Sequence, residues 1–118
     1  MIFVIDDDAI MAECIKDAIY GDAELFSNAI DAMNRIADGI IPDLIFLDIL
    51  LDGPDGFTFL NELVSYSDTA NIPVIIVSSI DFSNQDLSNY GVVGYLNKDT
   101  MTPDDIKGFV NEYCKQRY

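Results

Sequence analysis

The sequence predicts an α/β fold built on a parallel sheet, and two patterns in its 118 residues support this prediction. Five short apolar segments are spaced along the chain, and the segments between them repeat apolar residues at helical spacing. Such alternation is typical of βα units, whose helices cover both faces of a parallel sheet. A chain of this length can bury an ordinary core, so we expect residues 1–118 to form a single domain.

The first half of the chain contains two predicted strand and helix pairs. Ile2 to Ile5 is an uninterrupted branched and aromatic run, which is typical of a strand buried on both faces. From Ala9 to Tyr20 apolar residues recur every three or four positions, which indicates a helix with one buried stripe. A short strand from Ala23 to Phe26 follows, and we expect the second helix to begin after Ser27 or Asn28 as its N-cap.

The second half of the chain repeats this alternation. Turn-forming residues separate its apolar segments, and Thr102 is expected to cap the last helix with Pro103 in the first turn. In chain order, the predicted elements are a strand at 44–47, a turn-rich loop at 49–56, a helix beginning near 57, a strand at 74–77, a short helix at 83–90, a strand at 94–96 and a helix beginning after 102.

The composition excludes several classes of function. The chain has 21 acidic and 6 basic residues and no histidine, giving a formal net charge of −15. Because such a surface repels nucleic-acid phosphates and anionic lipids, we expect no direct nucleic-acid binding and no membrane binding. Without histidine the chain cannot supply a Ser-His-Asp or Cys-His catalytic set. Its apolar runs are far shorter than the ~20 residues of a membrane span, and no basic region precedes the first of them, so we expect a cytoplasmic protein.

Polar side chains follow four of the predicted strands. Asp6 and Asp7 come after the first strand, Asp48 after the third, Ser78 after the fourth and Lys98 after the fifth. Since ligands of parallel sheets bind beyond the carboxyl ends of the strands, we expect these groups to converge there. Three adjacent carboxylates repel one another, which favours a bound cation. Oxygen ligands alone suit a hard ion, so the sequence predicts Mg²⁺, with Mn²⁺ as a possible substitute.

This set of groups predicts chemistry at phosphorus. A carboxylate beside a divalent cation can act as a nucleophile and form an aspartyl phosphate. The ammonium of Lys98 and the hydroxyl of Ser78 are suited to contact phosphoryl oxygens on Asp48. Each group alone is more often a cap, a turn residue or a surface charge, and only their joint placement favours a phosphoacceptor site.

Four segments carry a resemblance to a known family. They are F-V-I-D-D-D at 3–8, P-D-L-I-F-L-D-I-L-L-D-G-P-D-G at 42–56, P-V-I-I-V-S-S at 73–79 and G-Y-L-N-K at 94–98. With these segments the chain resembles the receiver domains of response regulators in two-component signalling, such as the stand-alone chemotaxis regulator. The resemblance covers essentially all residues and implies a flavodoxin-like three-layer αβα sandwich, with a five-stranded parallel sheet of order 2-1-3-4-5 and five helices.

The resemblance also implies roles for the acidic residues. Asp48 matches the family's phosphoacceptor. Asp7 matches a direct ligand of the metal ion, and Asp6 matches an acid that acts largely through water. The main-chain carbonyl of Leu50, two residues beyond the acceptor, matches a further metal ligand.

The resemblance implies a switch and its partners. Ser78 and Lys98 match the hydroxyl and the lysine that contact the phosphoryl group, and Tyr95 matches an aromatic side chain whose rotation accompanies activation. The donor would be a phosphohistidine on a sensor histidine kinase or on a histidine phosphotransfer domain. The region from 83 to 96, together with the last helix, would form the output face toward a downstream protein target or an effector domain.

Several positions depart from the family pattern. Asp52 stands where the loop usually has proline, and Ser79 where the family has alanine or glycine. Asp99 replaces the proline that commonly follows the lysine, so we expect no cis peptide bond there. Leu50 and Ile80 occupy positions that influence dephosphorylation, and since neither side chain can orient a water molecule we expect slow autodephosphorylation. A half-life of seconds that polar substitutions leave unchanged would contradict this expectation.

Two other classes of function stay open at the sequence level. A pseudoreceiver would share the fold without being phosphorylated, and the departures at Asp52, Ser79 and Asp99 allow it, although Asp48 and Lys98 are present. A flavin-binding protein of similar fold would need a hydroxyl-rich phosphate loop after the first strand, where the acids at 6–8 would repel a phosphate.

Overall fold

The computed structural model describes residues 1–19, 21–49, 56–80 and 86–114. Its five strands are β1 Ile2–Ile5, β2 Ala23–Phe26, β3 Leu44–Asp48, β4 Val74–Ser78 and β5 Val92–Asn97. Its α-helices are α1 Ala9–Asp17, α2 Ala29–Ala37, α3 Gly56–Val64 and α4 Pro103–Tyr113. The strands form one parallel sheet of order β2-β1-β3-β4-β5, which confirms the predicted fold class.

The chain between β4 and β5 differs from the prediction. The helix expected at 83–90 is represented in the described residues by a single 3₁₀ turn, Ser88–Tyr90, and positions 83–85 lie outside them. The turn ends at Gly91, whose φ of 81° is a left-handed conformation that favours glycine. The described part of the chain therefore contains four α-helices rather than five.

Side-chain caps determine where three helices begin. Asp8 accepts hydrogen bonds from the main-chain N–H groups of Ile10 and Met11 and so caps α1. Asn28 accepts one from Asp31 N at 2.8 Å and caps α2, which decides between the two predicted candidates. Thr102 forms a reciprocal capping box at the start of α4, with Pro103 in the first turn as predicted. These bonds satisfy N–H groups that the helices themselves leave unpaired.

The core is divided by the sheet into two layers. Side chains of β1 alternate between them: Phe3 and Ile5 face the layer under α2 and α3, and Ile2 and Val4 face the layer under α1 and α4. Every residue of β1, β3 and β4 is buried. Because the apolar runs fill both layers, the first polar side chain after each run lies at the carboxyl edge of the sheet.

No helix among the described residues is long and apolar enough to cross a membrane. Those residues also contain no cis peptide bond, as expected for the segment after Lys98.

Candidate functional site

The carboxyl ends of β1, β3 and β5 bring together three charged side chains. The Lys98 ammonium lies 3.0 Å from Asp6 Oδ2 and 3.1 Å from Asp48 Oδ2. The parallel register creates this meeting, because Ile5 pairs with Leu47 and the next residue of each strand emerges at the same edge. Groups that are distant in the sequence thus form one cluster, as the strand-end pattern predicted.

Three carboxylates in this cluster are close enough to share a metal ion. One oxygen from each of Asp6, Asp7 and Asp48 lies within 4.8 Å of the others. Asp6 and Asp48 are buried, with exposed fractions of 2% and 6%, whereas Asp7 is exposed. The third acid of the run, Asp8, instead caps α1. Leu50, whose carbonyl the resemblance suggested as a ligand, lies outside the described residues.

The Asp6 carboxylate shows that the donor set fits a hard divalent cation. Its Oδ1 accepts a hydrogen bond from Asp8 N at 2.9 Å. Within the described part of the chain its buried Oδ2 accepts no hydrogen bond of good geometry, although the Lys98 ammonium is close to it. A buried anionic oxygen is costly unless a cation or a donor compensates it. Carboxylates without nitrogen or sulfur ligands suit Mg²⁺ or Mn²⁺.

The charged groups of the cluster shift one another's pKa values. Burial raises the pKa of Asp6 above its ordinary value, and the negative charge of Asp48 adds to this, while the Asp8 main-chain donor and Lys98 oppose it. Burial alone would lower the pKa of Lys98, but its close contacts with Asp6 and Asp48 and its attraction to both acids outweigh burial and raise that pKa. The lysine is therefore held in its charged form by the two acids.

Ser78 ends β4 beside this cluster. Its side chain is buried, and its Oγ accepts a hydrogen bond from Ile80 N at 3.1 Å. Its carbonyl accepts a second from Lys98 N, also at 3.1 Å. Ser79 and Ile80 are exposed, so the substitution at Ser79 presents its side chain to solvent. The Ser78 hydroxyl oxygen is thus tied to the segment that follows β4.

Comparison with known proteins identifies the family. The model of the family described as "Response regulator receiver domain" matches residues 2–111. The chain belongs to the receiver-domain family. Similarity to curated proteins is consistent with this: a protein-glutamate methylesterase/protein-glutamine glutaminase of Oleidesulfovibrio alaskensis is 29% identical over 106 residues, which are 82% of this chain and 29% of that protein. The next relative, response regulator PleD of Caulobacter vibrioides, is covered over 18% of its length. The chain therefore spans less than a third of these relatives.

Solved structures show the same fold. The receiver domain of NtrX from Brucella abortus superposes with a TM-score of 0.82 at 22% identity, covering 98% of each chain. The Mn²⁺-bound form of response regulator Rcp1 gives a TM-score of 0.75 at 20% identity, covering 96% of this chain and 92% of that one. At these identities the likeness concerns the fold of this receiver domain.

Tyr95, the predicted switch residue, is a partly buried side chain on β5 of the receiver domain. It packs against the core layer under α2 and α3, and also borders a groove of about 630 Å³ between β5 and α4 that Met101 and Phe109 line. The neighbouring residue is Gly94, and a Cβ there would lie 2.6 Å from the Phe109 ring, so a larger residue would require that ring to move. The structure thus places Tyr95 at the surface groove of β5 and α4 rather than in the acidic cluster.

Asn97, which ends β5 and directly precedes Lys98, has no role in the predictions made from the sequence. Its Oδ1 accepts a hydrogen bond from Asp99 N at 2.8 Å. Asparagine favours such turns because its side-chain oxygen can bond an amide two residues on. The sequence contained a signal for this turn: Asn97 precedes Lys98, and residue 99 is an aspartate, which has an N–H group to donate, rather than a proline.

Proposed function

We propose that residues 1–118 form one receiver domain that accepts a phosphoryl group on Asp48, with Mg²⁺ bound, and that this modification switches its output surface. The observation that carries the proposal is the position of Asp48. Its buried carboxylate lies beside the carboxylates of Asp6 and Asp7, with which it could bind a cation. It also lies beside the ammonium of Lys98, which could contact a phosphoryl oxygen.

Asp6, Asp7 and Asp48 are proposed to hold the metal ion, with the carbonyl of Leu50 as a further ligand from the resemblance. The fit of the acidic donor set supports Mg²⁺, and Mn²⁺ would fit the same oxygens. When bound, the ion neutralises phosphoryl oxygens during transfer. Asp7, the exposed acid, is the natural direct ligand, since it can reorient without leaving a buried pocket.

The proposed reaction moves the phosphoryl group from nitrogen to oxygen. A carboxylate oxygen of Asp48 forms a bond to phosphorus while the bond from phosphorus to the donor imidazole nitrogen breaks, and that nitrogen keeps the electron pair. Response regulators receive phosphate from histidine kinases. Because this chain contains no histidine, the donor must be a separate group, on a sensor histidine kinase or on a phosphotransfer domain.

Lys98 and Ser78 are proposed to contact the phosphoryl group, Lys98 during the transfer and in the product, and Ser78 in the product. The Lys98 ammonium, already 3.1 Å from Asp48 Oδ2, would exchange this contact for one to a phosphoryl oxygen. Ser78 can donate its hydroxyl proton to another phosphoryl oxygen. Since Ser78 Oγ also holds Ile80 N, a shift of the hydroxyl would move the chain after β4.

The output surface is proposed to include the groove of β5 and α4 with Tyr95, which would rotate as that chain moves. Its partner would be a downstream protein or an effector domain. Dephosphorylation would be slow, because Ile80, two residues beyond Ser78, has an exposed apolar side chain that cannot orient a water molecule.

Phosphorylation by acetyl phosphate tests the proposal directly. Wild-type protein with MgCl₂ should gain one phosphoryl group by intact-protein mass spectrometry, and the adduct should be removed by hydroxylamine. Asp48→Asn should gain none, and chelation of Mg²⁺ should abolish labelling of the wild type. Asp17→Asn, which changes an exposed acid at the end of α1, is the matched control and should label normally. A folded wild-type protein that takes no label would indicate a pseudoreceiver instead.

A further inference from the structure

We propose that Asn97 is a positioning residue, which holds the main chain of Lys98 so that its ammonium reaches both Asp6 and Asp48. The catalytic part of this inference rests on the proposed phosphoryl transfer, in which Lys98 contacts the phosphoryl group. The structural part does not, since it concerns the unmodified protein.

Asn97 organises the turn that begins at the end of β5. Its side-chain Oδ1 accepts the N–H of Asp99 at 2.8 Å. Its carbonyl oxygen accepts the N–H groups of Thr100 and Met101, at 3.2 and 2.8 Å. A single residue thus receives the amide donors of the three residues that follow Lys98. The side-chain bond is the one of these that a substitution can remove.

The bonds of Asn97 act on Lys98 because they bracket it. On one side, Lys98 N donates to Ser78 O at 3.1 Å, which anchors the residue to β4. On the other side, the next N–H is held by Asn97 Oδ1. The peptide groups before and after the Lys98 Cα are therefore both fixed by hydrogen bonds.

A fixed Cα matters more for lysine than for most residues. The lysine side chain has four flexible carbons, and it loses considerable rotamer freedom when its end is held in one place. Here the ammonium must lie within 3.0 Å of Asp6 and 3.1 Å of Asp48 at once. If the main chain could rotate, the ammonium would reach both carboxylates in only a fraction of conformations.

The identity of residue 99 agrees with this role. Asp99 has an N–H group to donate, whereas the proline expected there from the family resemblance has none. The hydrogen bond from Asp99 N to Asn97 Oδ1 restricts the chain around Lys98, and it requires both the side chain at 97 and the N–H group at 99. The Asp99 and Asn97 side chains are exposed, so the bond does not serve core packing.

The test compares Asn97→Ala, which removes the acceptor, with Asn97→Asp, which retains an oxygen at the same position. Asn111→Ala, an exposed asparagine on α4, is the control. Two quantities are measured: the rate of labelling by acetyl phosphate with Mg²⁺, and the ¹⁵N–¹H signal of the Lys98 ammonium in metal-free protein, which reports how well its protons are held. The labelling rate is also measured in a Lys98→Ala background, and the spectrum of Lys98→Ala assigns the Lys98 ammonium signal by its absence.

Asn97→Ala should slow labelling roughly five- to tenfold and broaden or shift the Lys98 signal, as expected for loss of one hydrogen bond. Asn97→Asp should restore most of both, and Asn111→Ala should change neither. In the Lys98→Ala background the effect of Asn97→Ala on labelling should vanish.

An unchanged Lys98 signal in Asn97→Ala, or an equal loss of labelling with and without Lys98, would overturn the positioning role. If no variant and no wild-type protein is labelled while the Lys98 signal still depends on Asn97, the positioning role stands and the proposed phosphoryl transfer fails. The two proposals are thus separated by the metal-free measurement.

Discussion

Replacing Lys98 by methionine removes the cation shared by two buried carboxylates while keeping the length of the side chain. Only 15% of the Lys98 side chain is exposed, with 1% of Asp6 and 7% of Asp48. At 3.0 Å and an effective dielectric constant of about 20, each ion pair has an attraction of roughly 5 kcal/mol, much of which desolvation offsets. Removing one partner of a buried pair typically costs about 3–5 kcal/mol.

We expect Lys98→Met to lower the free energy of unfolding by about 3 kcal/mol in metal-free buffer near neutral pH, the lower end of that range, because Asp6 can take up a proton. The pKa of Asp6 is already raised by burial, and loss of Lys98 removes an influence that lowers it. The difference between variant and wild type should therefore shrink as pH falls, because the protonated Asp6 no longer needs a cation.

Urea denaturation with chelator measures this difference, and Lys16→Met is the matched control. It removes the same charge from an exposed site in the last turn of α1, where the interaction with the helix dipole is worth less than about 1 kcal/mol. Saturating Mg²⁺ should stabilise Lys98→Met more than the wild type, since in the wild type the ion competes with the ammonium for the same carboxylates. A concentration one hundred times the Kd would contribute about 2.7 kcal/mol.

The reasoning would be refuted if Lys98→Met and Lys16→Met were equally stable without metal. It would also be refuted if equal concentrations of Mg²⁺ stabilised the wild type and Lys98→Met by the same amount, since the ion and the ammonium would then use different groups.

Two further predictions concern alkaline stability and a close backbone contact. Because the folded pKa of Lys98 is raised above 10.5, the folded state keeps this proton longer than the unfolded state, so stability is fully present below pH 10.5 and is lost as pH rises through the folded pKa. Urea unfolding above that pH should show a steeper loss for wild type than for Lys98→Met, and parallel curves would contradict the ion pairs. Gly56→Ala should destabilise the fold by roughly 1–3 kcal/mol, because its Cβ would lie 2.7 Å from the Ile49 main chain. Gly108→Ala in α4, where the new Cβ meets nothing within 4 Å, should instead raise the thermal midpoint, and a rise for both would show that Ile49 yields.

The acidic cluster also explains why a chain with a net charge of −15 places one of its six basic residues at the sheet edge. Asp6 and Asp48 are two buried like charges that repel each other, and Lys98 lies close to both of them. The same lysine therefore stabilises the unmodified state and is available to a phosphoryl oxygen. This double use makes stability measurements in metal-free protein informative about the proposed transfer.

The order of the strands and helices along the chain and the ends of the central strands could be predicted from the amino-acid pattern. Apolar runs such as Ile2–Ile5 indicate burial on both faces, and the first polar residue after such a run marks the end of the strand. The helix caps were equally local, since Asn28 and Thr102 bond to amides within three residues. Hydrophobic spacing and capping depend on near neighbours in the chain, so they can be recognised without coordinates.

The contacts among the polar groups could not be predicted in the same way, because they form between distant parts of the folded chain. The burial of Asp6 beside an exposed Asp7 and the bridge from Lys98 to two acids depend on the register between segments many residues apart. The turn held by Asn97 and the 3₁₀ geometry of Ser88–Tyr90 were likewise not evident from periodicity. Periodicity gives the side of an element on which a residue lies, whereas the distance between two flexible side chains is set by the packing of the whole sheet.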